Sequence, residues 1–398
     1  MDGSVPADTQ EAEGDVADWR TVPDPKQAGW IFSQELLHKN KDLKSLFLSV
    51  DVRHDPSEQD RALVAFYKRN KVQWASPLYC KLQGDVATGS GVDRHMMSTV
   101  IFKLMSGFHL SFGGAAVTRL FEGEPDHLVP SGSDELLSSG MFSAAGRMMG
   151  HSFLHHGPSF PGLSPAVIHV LFGGSLETAP VTVRDCPDLD VRDAVTMLDG
   201  EGEIEESVHQ LCLSWNLPAP NARNRKRLSD RLLRRAVIEQ TWSQTNQLRR
   251  GLQETGVWPL LTLRRDVIPV LFPRESDAQV TPQVILDCII WPSSLTVFFE
   301  RYEEYEESGT EDVCRVSGYL KTFIENASAA ELKSLIKFWI GWELPAREMK
   351  VEIVEASFPS ALTCFEKLRL PRHHRAYATF HQDLCACIAH HSSGFGRS

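Results

Sequence analysis

The sequence lacks any apolar run that could cross a bilayer, which takes about 20 consecutive apolar residues. Its longest apolar stretches, residues 167–172 and 267–272, are interrupted by His169 and Pro269. The N-terminus also lacks a basic segment followed by an apolar one, the pattern of a secretory signal peptide. We therefore expect no membrane partner and an intracellular location, in the cytoplasm, the nucleus or both.

Closely spaced cysteine pairs are scarce. The eight cysteines stand at positions 80, 186, 212, 288, 314, 364, 385 and 387, and no C-x-x-C pair occurs among them. A disulfide-rich scaffold or a zinc ribbon needs denser or paired cysteines. The pattern predicts reduced thiols, most of which are expected to act as small buried apolar groups.

Basic charge is also in short supply. The chain has 41 Lys and Arg against 52 Asp and Glu, a formal net charge of −11. Such a surface is poorly suited to following nucleic-acid phosphates, so nucleic acid is not expected as a partner. One local basic cluster is compatible with a nuclear localisation signal, an acidic partner or a solvated helix face. It consists of Arg223, Arg225, Lys226, Arg227, Arg231, Arg234 and Arg235.

What is present is the composition of a globular protein. Hydrophobic residues make up 42% and charged residues 23%, which excludes a wholly disordered chain. The 398 residues allow two domains at roughly 100–200 residues each. Residues 1–26 are acidic and poor in core-forming side chains, which predicts a solvated, disordered tail. The acidic stretch 300–312 predicts an exposed linker between two lobes.

Apolar periodicity predicts several helices between and after these regions. They cover residues 58–72, 96–105, 142–154 and 377–388, with a long charged helical region over 223–255. Gly146 and Gly150 leave room for close packing of the helix over 142–154. Residues 351–354 predict a strand.

Cys364 differs from the other cysteines in its surroundings. It lies in a segment bracketed by Pro359 and Pro371, after the predicted strand and before the last helix. A cysteine on such a loop is accessible to a bulky partner, and loops commonly carry chemistry. Because a thiol is intrinsically nucleophilic near neutral pH, Cys364 is a candidate nucleophile.

The segment around Cys364 resembles the active-site signature of HECT-type ubiquitin-protein ligases, Leu-Pro-x-Ala/Ser-His-Thr-Cys-Phe-Asn-x-Leu-x-Leu-Pro-x-Tyr. The matching residues are Pro359, Ala361, Thr363, Cys364, Phe365, Leu368, Leu370 and Pro371. The departures are Phe358 for Leu, Leu362 for His, Glu366 for Asn and His373 for Tyr.

The resemblance covers roughly residues 46–398. Gly91 and Asp93 look like the family's Gly-x-Asp, but Arg94 and His95 stand in the neighbourhood of its two glycines. Phe395 holds the place of a functional phenylalanine four residues from the C-terminus of HECT ligases. The middle, near residues 200–250, is shorter than in the family, where it helps to form the site for the ubiquitin-conjugating enzyme.

The resemblance implies an α+β fold of two lobes. Its implied parts are an acidic tail and lead-in at residues 1–45 and a larger, mostly helical N-lobe at 46–299. A flexible acidic hinge at 300–312 and a small α/β C-lobe at 313–398 follow.

The resemblance also implies the activity. Ubiquitin would pass from a conjugating enzyme to Cys364 as a glycyl thioester, and then to a lysine of a protein substrate. The implied catalytic residues are Cys364, Thr363 and Phe395, the last as a packing anchor for the tail or the donor ubiquitin. No metal or organic cofactor is implied.

Other interpretations stay open. Leu362 and the shortened middle are compatible with a non-catalytic HECT-like module that binds ubiquitin or another protein. A cysteine hydrolase would need an oriented histidine, and nothing near Cys364 resembles a protease signature. His373 and His374 are either proton carriers or a solvated loop pair.

Zinc is a further alternative, at Cys385 and Cys387 with His390 and His391. Positions two apart on a helix point to different faces, which argues against one shared ion.

Overall fold

The computed structural model describes residues 18–84, 90–112, 116–275, 277, 280–292, 308–341, 345 and 348–391. Among these, residues 90, 308–310, 364, 390 and 391 are described by their backbone alone. No helix in the described part is both long and apolar enough to cross a membrane. The chain forms two α+β lobes, each with its own apolar core.

The larger lobe is mostly helical. Its helices are α1 Pro25–Lys39, α2 Pro56–Tyr67, α3 Ser90–Ser106, α4 Asp134–Ser138, α5 Met141–Leu154, α6 Pro165–Leu171, α7 Leu189–Asp199, α8 Glu206–Ser214, α9 Arg225–Arg234, α10 Trp242–Glu254, α11 Trp258–Leu263 and α12 Ile268–Leu271. Two small sheets accompany them. Strand β1 (Leu46–Asp51) runs parallel to β2 (Leu78–Gln83), and β3 (Phe121–Glu122) is antiparallel to β4 (Val129–Pro130).

Helices α5 and α10 pack through glycines at the centre of this lobe. A Cβ atom at Gly146 would collide with the carbonyl oxygen of Leu248, and one at Gly251 with that of Ser143. Both obstacles are backbone atoms, which cannot move aside without shifting a helix. The predicted close packing of this helix is therefore confirmed, and it requires glycine on both partners.

Replacing Gly251 with alanine should destabilise the larger lobe strongly. Overpacking of a dense core costs about 1–3 kcal/mol, and a clash with backbone belongs at or above the upper end. Gly202→Ala is the matched control, because a Cβ there meets nothing within 4 Å. The midpoint of urea unfolding is measured for both variants. Equal midpoints for Gly251→Ala and Gly202→Ala would show that α5 and α10 can move apart at little cost in stability.

The smaller lobe is a four-stranded sheet covered by helices. Its elements are α13 Pro282–Cys288, β5 Ile289–Ile290, α14 Ser308–Asn326, α15 Ala329–Ile340, β6 Met349–Val354, β7 Ser360–Leu362, β8 Lys367–Pro371 and α16 Tyr377–His391. The strand order is β5-β6-β8-β7. Strand β6 is parallel to β5 and β8, while β7 is antiparallel to β8. Apolar side chains of α14, α15 and α16, such as Leu320, Trp339 and Phe380, fill its core.

The two cores divide the chain earlier than the predicted boundary at residue 299. The first core ends with Phe272, and the second begins with Val280. Ile289 and Val316 both pack in the second core, so the chain between them connects elements of one lobe. Of the predicted linker, residues 300–307 lie outside the described residues, and 308–312 form the first turns of α14. The described part of the predicted hinge, residues 308–312, is helical, and the role of 300–312 as a hinge stays a prediction.

The predicted tail also ends earlier than residue 26. Trp19 is buried against Phe32 with their rings edge to face at 5.1 Å, and its carbonyl oxygen accepts a hydrogen bond from Arg264. Asp24 caps α1 by accepting hydrogen bonds from the backbone of Lys26 and Gln27. One tryptophan in an acidic segment is enough to join it to the core. Residues 1–17 lie outside the described residues.

Candidate active site

Cys364 lies in the turn of a β-hairpin at the edge of the smaller lobe. Strands β7 and β8 pair with Leu362 opposite Lys367, and the 3-10 turn Thr363–Phe365 joins them. Strand β8 also pairs with β6 in the sheet, so the hairpin is held on a rigid element. We call residues 363–366 the cysteine turn. The prediction that Cys364 lies on a loop between a strand and the last helix is confirmed.

The cysteine turn ends at Glu366, whose backbone is left-handed with φ of 56°. Its carbonyl oxygen accepts hydrogen bonds from the backbone N–H of Lys350 at 2.8 Å and from Trp339 Nε1 at 3.0 Å. Trp339 is fully buried in the lobe core. The turn is therefore fixed at its C-terminal end by both the sheet and the core.

Large apolar side chains near Cys364 in the chain are exposed. Phe358, Leu362 and Phe365 are 62%, 39% and 68% exposed. Exposed apolar side chains commonly mark a contact surface when they form a patch. Two of these residues, Phe358 and Leu362, are departures from the HECT signature, and Leu362 brings an apolar side chain where the family has histidine.

An arginine from the larger lobe reaches the cysteine turn. Arg94, on α3, donates hydrogen bonds to the carbonyl oxygen of Thr363 and, at 3.0 Å, to Oε1 of Glu366. Its Nε also lies 3.2 Å from the carbonyl oxygen of Ile340 at the end of α15. Sequence reasoning did not assign this residue to the site. The signal that could have identified Arg94 is its place in the sequence, in the neighbourhood of two glycines of the HECT pattern.

The predicted site residues divide into those that the structure places and those that it does not. Thr363 is the first residue of the cysteine turn, and its carbonyl oxygen is bonded by Arg94. For Cys364 the backbone alone is described, and Phe395 lies outside the described residues. The catalytic roles of Thr363, Cys364 and Phe395 stay predictions.

The two histidines near Cys364 in sequence are engaged elsewhere. His374 is buried, with Nε2 2.9 Å from Asp383 of α16 and Nδ1 3.2 Å from the carbonyl oxygen of Pro371. His373 is exposed, and its Nδ1 lies 3.2 Å from the carbonyl oxygen of Ala356. Strand β8 separates both from the cysteine turn by roughly 16 Å at about 3.3 Å per residue. Neither is placed to exchange a proton directly with Cys364.

Metal-ligating geometry is weak in this region. Among the described residues, His373, His374 and Asp383 bring possible ligand atoms within 4.8 Å of one another. The two imidazoles are stacked at 4.3 Å with only 27° between their planes. An imidazole binds a metal in its own plane, so stacked rings do not converge on one ion.

The alternative zinc ligands are only partly described. Cys385 lies 3.8 Å from His381, and the side chains of residues 390 and 391 are not described.

Other cysteines are poorly suited to nucleophilic chemistry. Burial raises the pKa of the thiols of Cys80, Cys186, Cys212, Cys288, Cys385 and Cys387. Because the thiolate is the reactive form, a raised pKa makes these residues less reactive at neutral pH. Cys314, on α14, is exposed.

Three of the seven residues of the basic cluster bond backbone carbonyl oxygens. Arg225 donates to the carbonyl oxygens of Met197 and Leu198 at the end of α7. Arg234 and Arg235 likewise bond backbone carbonyls, of Leu176 and Ala179 and of Trp215. These guanidinium groups satisfy carbonyls at helix ends and loops. The other four residues, Arg223, Lys226, Arg227 and Arg231, are exposed, as a solvated helix face predicts.

Fold and site together define a two-lobed α+β protein whose smaller lobe presents a cysteine on a hairpin turn. The family model HECT-domain (ubiquitin-transferase) matches residues 116–398. The chain therefore belongs to the HECT family, and the resemblance inferred from the sequence is confirmed at the level of the family. No curated protein matches the chain. Ubiquitin transfer is the activity of the family, and ubiquitin and conjugating enzymes are its general partners.

Proposed function

We propose that this protein accepts ubiquitin on Cys364 from a conjugating enzyme and passes it to a lysine of a protein substrate. The supporting observation is the position of Cys364 on an anchored hairpin turn, flanked by exposed apolar side chains, within the residues that match the family. Since ubiquitin and its conjugating enzymes are intracellular, we also place the protein in the cytoplasm or nucleus.

The first step is a thioester exchange. The Cys364 thiolate attacks the carbonyl carbon that joins ubiquitin to the cysteine of the conjugating enzyme. A new S–C bond forms at Cys364, and the old S–C bond breaks, so that the conjugating enzyme leaves as a thiolate. One thioester replaces another, so the exchange is close to energetically balanced, and positioning supplies most of the rate.

The second step forms a stable amide. The neutral amine of a substrate lysine attacks the carbonyl carbon of the Cys364 thioester and forms an N–C bond. The S–C bond breaks, Cys364 leaves as a thiolate, and the amine releases its proton to water. The exposed apolar side chains of Leu362 and Phe365, on either side of Cys364 in the chain, offer a contact area for ubiquitin. A thiol suits both steps because it is a good nucleophile and a good leaving group.

A pulse–chase experiment tests the proposal. A panel of conjugating enzymes charged with fluorescent ubiquitin is mixed with the protein for seconds, and further charging is then blocked. We expect a ubiquitin adduct that thiols remove, followed by a thiol-resistant product. If no member of a broad panel gives the adduct, the chain is a non-catalytic HECT-like binding module.

A further inference from the structure

The contacts of Arg94 join the two lobes at the cysteine turn. The residue belongs to the larger lobe, and its three acceptors, Ile340, Thr363 and Glu366, belong to the smaller one. The ion pair with Glu366 is partly withdrawn from water, since the two side chains are 14% and 32% exposed. One acceptor, the carbonyl oxygen of Thr363, belongs to the backbone of the cysteine turn, so Arg94 holds the turn itself as well as the Glu366 side chain.

The segment of α3 that carries Arg94 is itself fixed in the larger lobe. The neighbouring Asp93 accepts a hydrogen bond at 2.9 Å from the backbone N–H of Cys80 in β2, which ties the start of α3 to the small sheet. Across the lobe junction, Gly341 ends α15 with φ of 89°, and a Cβ there would be 3.4 Å from the carbonyl oxygen of Gly91. Arg94 therefore acts from a rigid support at a point where the lobes approach closely.

Both members of the ion pair depart from the family pattern. Arg94 stands in the glycine neighbourhood of the family's Gly-x-Asp stretch, and Glu366 replaces the family's asparagine. Position 366 is left-handed, where asparagine is well tolerated and a longer side chain is strained. Glutamate is thus a less favourable residue than asparagine for this backbone, and its carboxylate is paired with Arg94.

The contacts of Arg94 leave the apolar side chains of the turn exposed. Arg94 bonds the backbone and the carboxylate, whereas Leu362 and Phe365 remain exposed. A turn held in this way can still contact a large partner.

We infer that Arg94 is a positioning residue, which docks the cysteine turn onto α3 for delivery of ubiquitin to the acceptor lysine. This inference rests on the proposed function. A misplacement of ~1 Å can cost ~100-fold in rate, so a loosened turn should slow the delivery step.

The kinetic test separates loading of Cys364 from discharge to lysine. For Arg94→Ala we expect discharge to slow about tenfold, within the range that misplacement produces, while loading changes less than about threefold. Glu366→Arg should slow discharge too, because it places two like charges together. Arg94→Lys keeps a cationic donor for the oxygens of Thr363 and Glu366 and should slow discharge less than Arg94→Ala does. Arg119→Ala, an exposed arginine of the same lobe, is the control and should leave both steps unchanged.

A second readout does not depend on ubiquitin. Hydrogen–deuterium exchange of peptides spanning residues 358–370 should accelerate in Arg94→Ala, while β6 should keep its protection. If the wild-type protein does not load ubiquitin, the proposed function is wrong. Hydrogen–deuterium exchange then still tests whether Arg94 holds the cysteine turn in place. If wild type loads but Arg94→Ala matches it in discharge and in exchange, the positioning role is overturned. Faster loading with unchanged discharge would also overturn it.

Discussion

Replacing Cys364 with serine should eliminate the thiol-sensitive ubiquitin adduct. A hydroxyl is a far weaker nucleophile than a thiol at neutral pH, because almost none of it is ionised. The substitution removes one sulfur atom from a turn that backbone hydrogen bonds hold in place. We therefore expect the fold and the exposed apolar surface to survive while loading falls to background. Gel analysis with and without a thiol measures the adduct.

Three cysteines serve as controls for this substitution. Cys314→Ser removes an exposed thiol from the same lobe, and Cys385→Ser and Cys387→Ser remove half-buried thiols of α16. All three should load ubiquitin at close to the wild-type rate. Loss of the adduct in any of them, together with its persistence in Cys364→Ser, would place the acceptor elsewhere.

Replacing Phe395 with alanine should slow delivery of ubiquitin to lysine much more than it lowers stability. The residue stands four places from the C-terminus, where the HECT resemblance implies an anchor for the tail or the donor ubiquitin. If it sets geometry, its loss should cost up to ~100-fold in discharge, the effect of a misplacement of ~1 Å. Loading of Cys364 should change less. Single-turnover loading and discharge are measured separately, beside thermal unfolding.

The control for Phe395 is Arg397→Ala, which shortens another side chain of the same tail. Unchanged loading and discharge in Phe395→Ala would exclude a catalytic role for this phenylalanine. A large drop in melting temperature with a parallel loss of both steps would instead make it a stability residue.

Local patterns predicted the elements that carry the site. Apolar spacing over residues 96–105 predicted α3, which carries Arg94, and residues 351–354 predicted β6, which pairs with β8. The bracket of Pro359 and Pro371 around Cys364 corresponds to the hairpin of β7 and β8. These features depend on neighbours within about a dozen residues, which is the range over which periodicity and turn residues are informative.

Features set by distant contacts were not predictable in this way. The lobe division depends on Ile289 and Val316 sharing a core, and the extent of the N-terminal tail depends on Trp19 meeting Phe32. Acidic composition marked residues 1–26 as solvated, but the buried side chains of Trp19 and Val22 join the end of this segment to the core.

The pairing of Arg94 with Glu366 shows the same limit at the site. The two residues are 272 positions apart, and each looked in the sequence like an isolated departure from a motif. Only the packing of the lobes makes them partners. The basic cluster is the reverse case, because guanidinium groups that looked free are used on backbone carbonyls.

The most direct test of the account is to locate the thioester by differential alkylation. Loaded protein is first treated with N-ethylmaleimide under denaturing conditions, which blocks every free cysteine. The ubiquitin is then released with a thiol reagent at neutral pH, and the reagent is removed. The newly exposed cysteine is labelled with a heavier maleimide and mapped by mass spectrometry. The account predicts that the heavy label appears on Cys364 and that Cys314 carries the light one. Heavy label on another cysteine, with Cys364 fully light, would contradict it.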